Sequence, residues 1–103
     1  MEKYTLYVGL NDKDSKVQEI QTLEAYKVIQ KILYNNNVEG ATIFEAVGIY
    51  KHEDKTFVTE NTLRIELMFI DKQTVRAIVD SIKMLLNQES VAVQYEIVNS
   101  ELW

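Results

Sequence analysis

Apolar and polar positions alternate along the chain with two different periods, and the order in which those periods occur predicts a fold. From Tyr4 to Leu10 the sequence YTLYVGL places Tyr4, Leu6, Val8 and Leu10 on one face and Thr5, Tyr7 and Gly9 on the other. A period of two marks a half-buried strand. Residues 11–21, NDKDSKVQEIQ, read as a polar loop with a short extended piece around Val17 to Ile20. Thr22 then offers an N-cap hydroxyl and Glu24 an acid for the first helical turn. Leu23, Tyr26, Ile29, Ile32 and Leu33 recur at helical spacing, so a helix is predicted to about Tyr34. Asn35, Asn36 and Asn37 end it, because asparagine tolerates the left-handed geometry of a helix C-terminus.

After Gly40 the stretch ATIFEAVGIYKH, rich in β-branched and aromatic residues, reads as a second strand. Glu53, Asp54 and Lys55 mark a turn, and Phe57 to Ile70 the return strand. There Leu63, Ile65, Leu67 and Phe69 share one face, and Arg64, Glu66 and Met68 the other. Asp71 is placed to cap a second helix, whose stripe runs through Val75, Ile78, Val79, Ile82, Leu85 and Leu86. The last strand, VAVQYEIV, sets Val91, Val93, Tyr95 and Ile97 opposite Ala92, Gln94, Glu96 and Val98. The order β-α-β-β-α-β, with right-handed crossovers, predicts an α+β ferredoxin-like domain. Its sheet has four antiparallel strands in the order 4-1-3-2, with both helices on one face. The pattern shows no repeat, linker or low-complexity segment, so 1–103 is read as a single domain.

Composition narrows the chemistry. There is no cysteine, no proline, one histidine (His52) and three glycines, which excludes disulfides, thiolate zinc sites, cysteine nucleophiles and glycine-rich phosphate loops. Eleven basic against sixteen acidic residues leave a net charge of −5, which argues against direct binding of nucleic acid. The opening MEKYTLYVGL has no basic region followed by an apolar run, and no apolar stretch approaches the ~20 residues of a membrane span. The reading is a cytoplasmic protein with no membrane partner.

Candidate chemistry is sparse. The helix-free sheet face should carry Tyr7, Arg64, Glu66, Met68, Gln94 and Glu96. The second strand is apolar on both sides, with Phe44 and Tyr50 in one phase and Ile43, Val47 and Ile49 in the other. That mixture has the composition of an interface. The strand Leu6 to Leu10 has the shape of an RNA-stacking motif, but Glu66 and Met68 stand where its other rings belong. Asp12 and Asp14 begin like a calcium loop, yet Val17 replaces the required glycine and Leu23 the closing acid, leaving a solvated turn. His52, Glu53 and Asp54 read as a charge cluster at a hairpin tip rather than a metal site. Glu45, inside an apolar run, reads as an edge-strand charge that discourages aggregation. No catalytic, cofactor-binding or metal-binding residue is assigned, and no cofactor is expected. The candidate interface is Tyr7, Phe44, Glu45, Tyr50, Arg64, Glu66, Met68, Glu96 and Trp103.

Three stretches taken together resemble a known family. They are Leu6-Tyr7-Val8-Gly9-Leu10, the run from Gly40 through Glu45-Ala46-Val47-Gly48-Ile49-Tyr50, and Asn87-Gln88-Glu89-Ser90-Val91. They are similar to the LYFGL, T-V-x-D-A-x-G-x-W and F-G-Q-E-S-V stretches of an uncharacterised bacterial domain of unknown function. In topology the chain is also similar to the nitrogen-regulatory PII-like group. That resemblance implies trimers with small ligands held in clefts between subunits, and it brings no catalytic residue.

The function expected from these readings is a non-catalytic protein-binding or regulatory module acting through its sheet face and second-strand edge. Two alternatives stand beside it. One is an acidic antagonist of a nucleic-acid-handling nuclease, of the anti-CRISPR or anti-restriction type, presenting Glu39, Glu53, Asp54, Glu60, Glu89 and Glu101 to a partner with a basic groove. The other is a PII-like sensor of a small ligand. The two helices, through Leu23, Tyr26, Ile29, Ile82 and Leu86, can cover only one sheet face. A homo-oligomer, dimer or trimer, is therefore expected, with the segment Glu101-Leu102-Trp103 taking part.

Overall fold

The structure is a computed structural model that describes residues 1–51 and 54–103. Its elements follow the predicted order: β1 (Glu2–Gly9), α1 (Thr22–Asn35), β2 (Ala41–Lys51), β3 (Phe57–Leu67), α2 (Lys72–Leu85) and β4 (Ala92–Ile97). The four strands form one antiparallel sheet in the order β2-β3-β1-β4. This is the ferredoxin-like arrangement that the alternation of periods implies. His52 and Glu53, with the hairpin-tip cluster read from them, lie outside the described residues.

Register decides which side chains meet the helices. Tyr4 pairs with Leu67, Leu6 with Ile65 and Val8 with Leu63, so the inward phases of the two central strands coincide. These side chains are buried together with Ala25, Ile29, Ile32 and Leu33 of α1 and Val75, Ile78 and Ile82 of α2. Leu23 and Tyr26, expected in this core, stand outside it, with Leu23 60% exposed. Ala25, a residue too small to weigh in a periodicity, is fully buried in their place and lets α1 lie close to the sheet. Leu85, expected in the α2 stripe, is also exposed.

The caps differ in kind. Asp71 occupies the N-cap of α2 and accepts a 2.7 Å bond from the Thr74 N–H, as expected. The N-cap of α1 is Gln21 rather than Thr22, and no side chain caps it. The Thr22 hydroxyl instead accepts from Gln18 Nε2 at 3.2 Å and ties the preceding loop to the helix. Asn37 and Asn87, just past the two helices, take left-handed backbone (φ 56° and 48°).

The third strand ends at Leu67 rather than Ile70, because Phe69 adopts φ 57° and turns the chain into α2. Met68 and Phe69 are therefore exposed corner residues, not strand positions. The β2–β3 hairpin is the longest feature, eleven residues on each side, and the molecule extends 46 Å along its long axis. At ~3.3 Å per residue these strands outrun the 14-residue helices, which rise ~1.5 Å per residue. Val47, Ile49 and Phe57 on the helix-side face of the hairpin consequently lie beyond the helical layer and are exposed. Among the described residues no helix is long and apolar enough to cross a membrane.

Candidate functional site

The open sheet face is organised around Arg64. Its register partners are Tyr7 on β1 and Phe44 on β2. The guanidinium lies 5.1 Å from the centre of the Phe44 ring and donates to Glu66 Oε2 at 2.8 Å. Lys3 Nζ reaches the same oxygen at 3.0 Å, and Glu96 at 3.9 Å. With Lys3 and then Arg64 beside it, Glu66 is held below the usual carboxylate range. The Arg64 Nε is buried without a hydrogen-bond partner among the described residues. Thr5 and Thr62, flanked by these longer side chains, are buried although no helix covers them.

At the end of this face where β1 and β2 finish and β3 begins, the surface dips into a depression of about 960 Å³. Tyr7 on β1 and Tyr50 on β2 line it from either side of β3, Gln88, Glu89 and Ser90 border it from the loop before β4, and Glu60 of β3 lies between as its floor. Glu60 stands opposite Gly48 on β2, and its Oε2 accepts the Asn11 N–H at 3.0 Å on the β1 side. Its carboxylate fills the space that a Cβ on Gly9 would take. Gly9 thus makes room for the acid, while Gly48 on the other neighbouring strand leaves room for the Thr62 hydroxyl. Lys13, Lys16 and Lys51 and the acids Asp12, Asp54 and Glu89 also border the depression, so it presents both signs of charge.

The loops around it are fixed by polar contacts. Asn87 Nδ2 donates to Asp12 Oδ2 at 2.9 Å and to Asp14 Oδ2 at 2.8 Å. Asp12 Oδ1 accepts from the Asp14 and Ser15 N–H groups. This is the turn expected of the NDKDSK stretch. The Asn87 bond, then the Ser15 and Asp14 amides, hold Asp12 below its ordinary pKa. Gln88, only 8% exposed, donates to the Asn11 and Leu86 carbonyls and seats the third of the three stretches named above.

The structure brings Tyr7, Phe44, Tyr50, Arg64, Glu66 and Glu96 onto the one open face. Tyr7 donates to Gln94 Oε1 at 3.1 Å. Glu45 is on the other face, opposite Leu63 and exposed at the β2 edge. Met68 has left the strand, its sulfur 3.9 Å from the Ser100 hydroxyl, and Trp103 is fully exposed in the tail. The sequence reading missed the floor of the depression. Glu60 stood there only as one acid among six, and Gly9, Asn11 and Gln88 had no role. No spacing within one stretch signals it, because Gly9, Gly48 and Glu60 come together only through strand pairing.

The sequence matches the model of a family described as a protein of unknown function, DUF3574, over residues 3–100. The chain belongs to that family. No curated protein matches it. Among solved structures the DUF3574 chain resembles a phage SAM lyase in complex with S-methyl-5′-thioadenosine. That likeness has a TM-score of 0.71 and 22% identity, and covers 92% of this chain and 79% of the lyase. The periplasmic divalent cation tolerance protein CutA of Archaeoglobus fulgidus matches at 0.68 with 10% identity, over 99% and 88% of the two chains. GlnK of B. subtilis, in its ATP complex, matches at 0.58 with 14% identity, over 92% and 82%. Likenesses at such identities establish a shared fold, and GlnK bears out the PII-like topology read from the sequence.

Proposed function

We propose that this chain is a non-catalytic regulatory module that self-associates through its open sheet face and β2 edge and holds a small adenosine-type ligand in the depression floored by Glu60. The observation that carries the reading is convergence. The three stretches behind the family resemblance, distant in sequence, supply Tyr7 and Gly9, Tyr50, and Gln88 to Ser90 to one surface. Its volume falls within the ~300–1,000 Å³ of small-molecule sites. Tyrosine rings suit a planar base, Glu60 and Ser90 suit sugar hydroxyls, and the bordering lysines suit phosphate. The ligands of the phage SAM lyase and of GlnK, S-methyl-5′-thioadenosine and ATP, are both adenosine compounds. Support for self-association comes from Phe44 and Tyr50, about two-fifths exposed on the open face, and from Val47 and Ile49, more exposed still, on the edge strand.

Light scattering combined with thermal shift tests this. The expected result is a particle of two or three 12.0 kDa chains whose melting temperature rises with ATP or S-methyl-5′-thioadenosine, and a Glu60→Ala variant that loses the rise. A monomer indifferent to both compounds overturns the proposal. Turnover of S-adenosylmethionine that disappears in Glu60→Gln would replace a regulatory module with a lyase.

A further inference from the structure

The helix side of β4 is left half-covered. Val93, Tyr95 and Ile97 share the face of the buried Tyr4 and Leu6, yet they are 41%, 59% and 84% exposed. Between them and α2 runs a groove of about 430 Å³ with Val75, Val79, Val93 and Tyr95 in its walls. Lys72, Arg76 and Lys83 border it against one acid, Asp80. Among the described residues none of the three cations is in an ion pair, and the Lys72 ammonium rests 5.7 Å from the centre of the Tyr95 ring. Such a groove suits a short segment that carries large apolar side chains next to an acid.

The chain holds one. Glu101-Leu102-Trp103 presents Leu102 at 89% and Trp103 at full exposure. Its own groove is not where this segment heads. After β4, Val98 bonds the Met1 carbonyl and Ser100 lies against Met68, past the end of β3, so the chain passes the start of β1 and leaves the β4 edge. We propose that the α2–β4 groove receives Glu101-Leu102-Trp103 of a second copy of this chain. The indole and Leu102 fill the apolar floor, and Glu101 meets Arg76 or Lys72 at the rim. Groove and tail are different surfaces, so each subunit gives one contact and takes one, reciprocally in a dimer or head-to-tail in a ring. The inference rests on the self-association proposed above and assigns that association a second contact, separate from the open sheet face.

Trp103 is the sole tryptophan, so its emission reports docking without a label. Emission and light scattering are followed together across a dilution series. The expected result is a solvent-exposed, red emission in dilute monomer that moves to the blue as the oligomer forms. Arg76→Glu should raise the concentration for half-association at least tenfold, and Arg76→Glu with Glu101→Lys should restore it. An oligomer whose indole stays solvent-exposed overturns tail docking while leaving self-association intact. A chain that stays monomeric with exposed indole at all concentrations overturns both, and a blue emission already present in the monomer means that the tail folds onto its own subunit and overturns exchange.

Discussion

Gly9 and the Glu60 carboxylate share a space that cannot hold both a carboxylate and a methyl group. Alanine at position 9 is therefore expected to swing Glu60 out of the depression, an easy move for the end of a flexible side chain. The Asn11 N–H then loses its acceptor, a cost of about 0.5–1.5 kcal/mol. Affinity for the adenosine-type ligand should fall at least tenfold. Urea denaturation and ligand titration of Gly9→Ala measure the two effects separately, and a fully retained affinity would remove Glu60 from the site. Gly48→Ala makes a useful companion, since its new Cβ would press the Thr62 hydroxyl at 2.9 Å rather than the carboxylate.

The Arg64–Phe44 stack gives a test of the open face. Within one subunit a partly exposed cation–π contact contributes only about 0.5–1 kcal/mol, so Phe44→Asp should leave a folded, soluble chain. If the open face joins copies, the same change should raise the dissociation constant of the oligomer by a hundredfold or more in light scattering. An unchanged oligomer would move the interface elsewhere.

Titration of Glu66 yields a pH dependence with a definite sign. Its carboxyl is held below the usual range by Lys3 and Arg64, so the folded chain binds fewer protons than the unfolded chain between the two pKa values. The stabilisation is present above the ordinary glutamate value near ~4.3 and is lost as pH falls through the lowered one. Melting temperature should drop below about pH 4, and Glu66→Gln should flatten that drop. High salt should shrink the effect, because Lys3 and Arg64 are partly exposed.

At the alkaline end Tyr4 behaves in the opposite sense. Donation to the Glu2 carboxylate, with burial adding to it, pushes the phenol up to about 12. Folding stability from this group is complete below the ordinary tyrosine value near ~10 and is lost as pH rises towards 12. An ultraviolet titration should show Tyr4 ionising late, and Glu2→Gln should move it down towards the ordinary tyrosine value.

Ile65→Ala and Leu23→Ala separate true core from apparent core. Ile65 of β3 is fully buried beneath the helices and should lose about 2–5 kcal/mol on truncation. Leu23 is mostly exposed and should lose no more than about 0.5 kcal/mol. Chemical denaturation of the two variants checks both values.

The contrast also shows what a linear pattern can carry. Strand faces were legible because an alternation of two has only two phases, and burying Leu63 settles Ile65 and Leu67. A helical stripe is wider than the surface it packs on, so Leu23 and Tyr26 fit the period while Ala25 makes the contact. Thr22 looked like a cap because its type suits one, but its hydroxyl was claimed by Gln18 from the preceding loop. The open face was legible from the same alternation. The depression was not, since it depends on Gly48 and Glu60 being paired across β2–β3 and on Asn11 arriving from the other side. Those are relations between elements, and no single stretch contains them.

Phe69 offers a route to a sturdier protein. It is a bulky side chain held at φ 57°, where a β-carbon costs roughly 1–2 kcal/mol, and it is half exposed, with little packing to offset that cost. Lys16 and Lys55 sit in the same left-handed region, while none of the three glycines does. The chain thus places Gly9 and Gly48 where room is scarce and large residues where backbone geometry is awkward. Exchanging Phe69 and Lys55 for asparagine, which tolerates this geometry, is a direct recipe for thermostabilisation that leaves the sheet and the residues lining its depression unaltered.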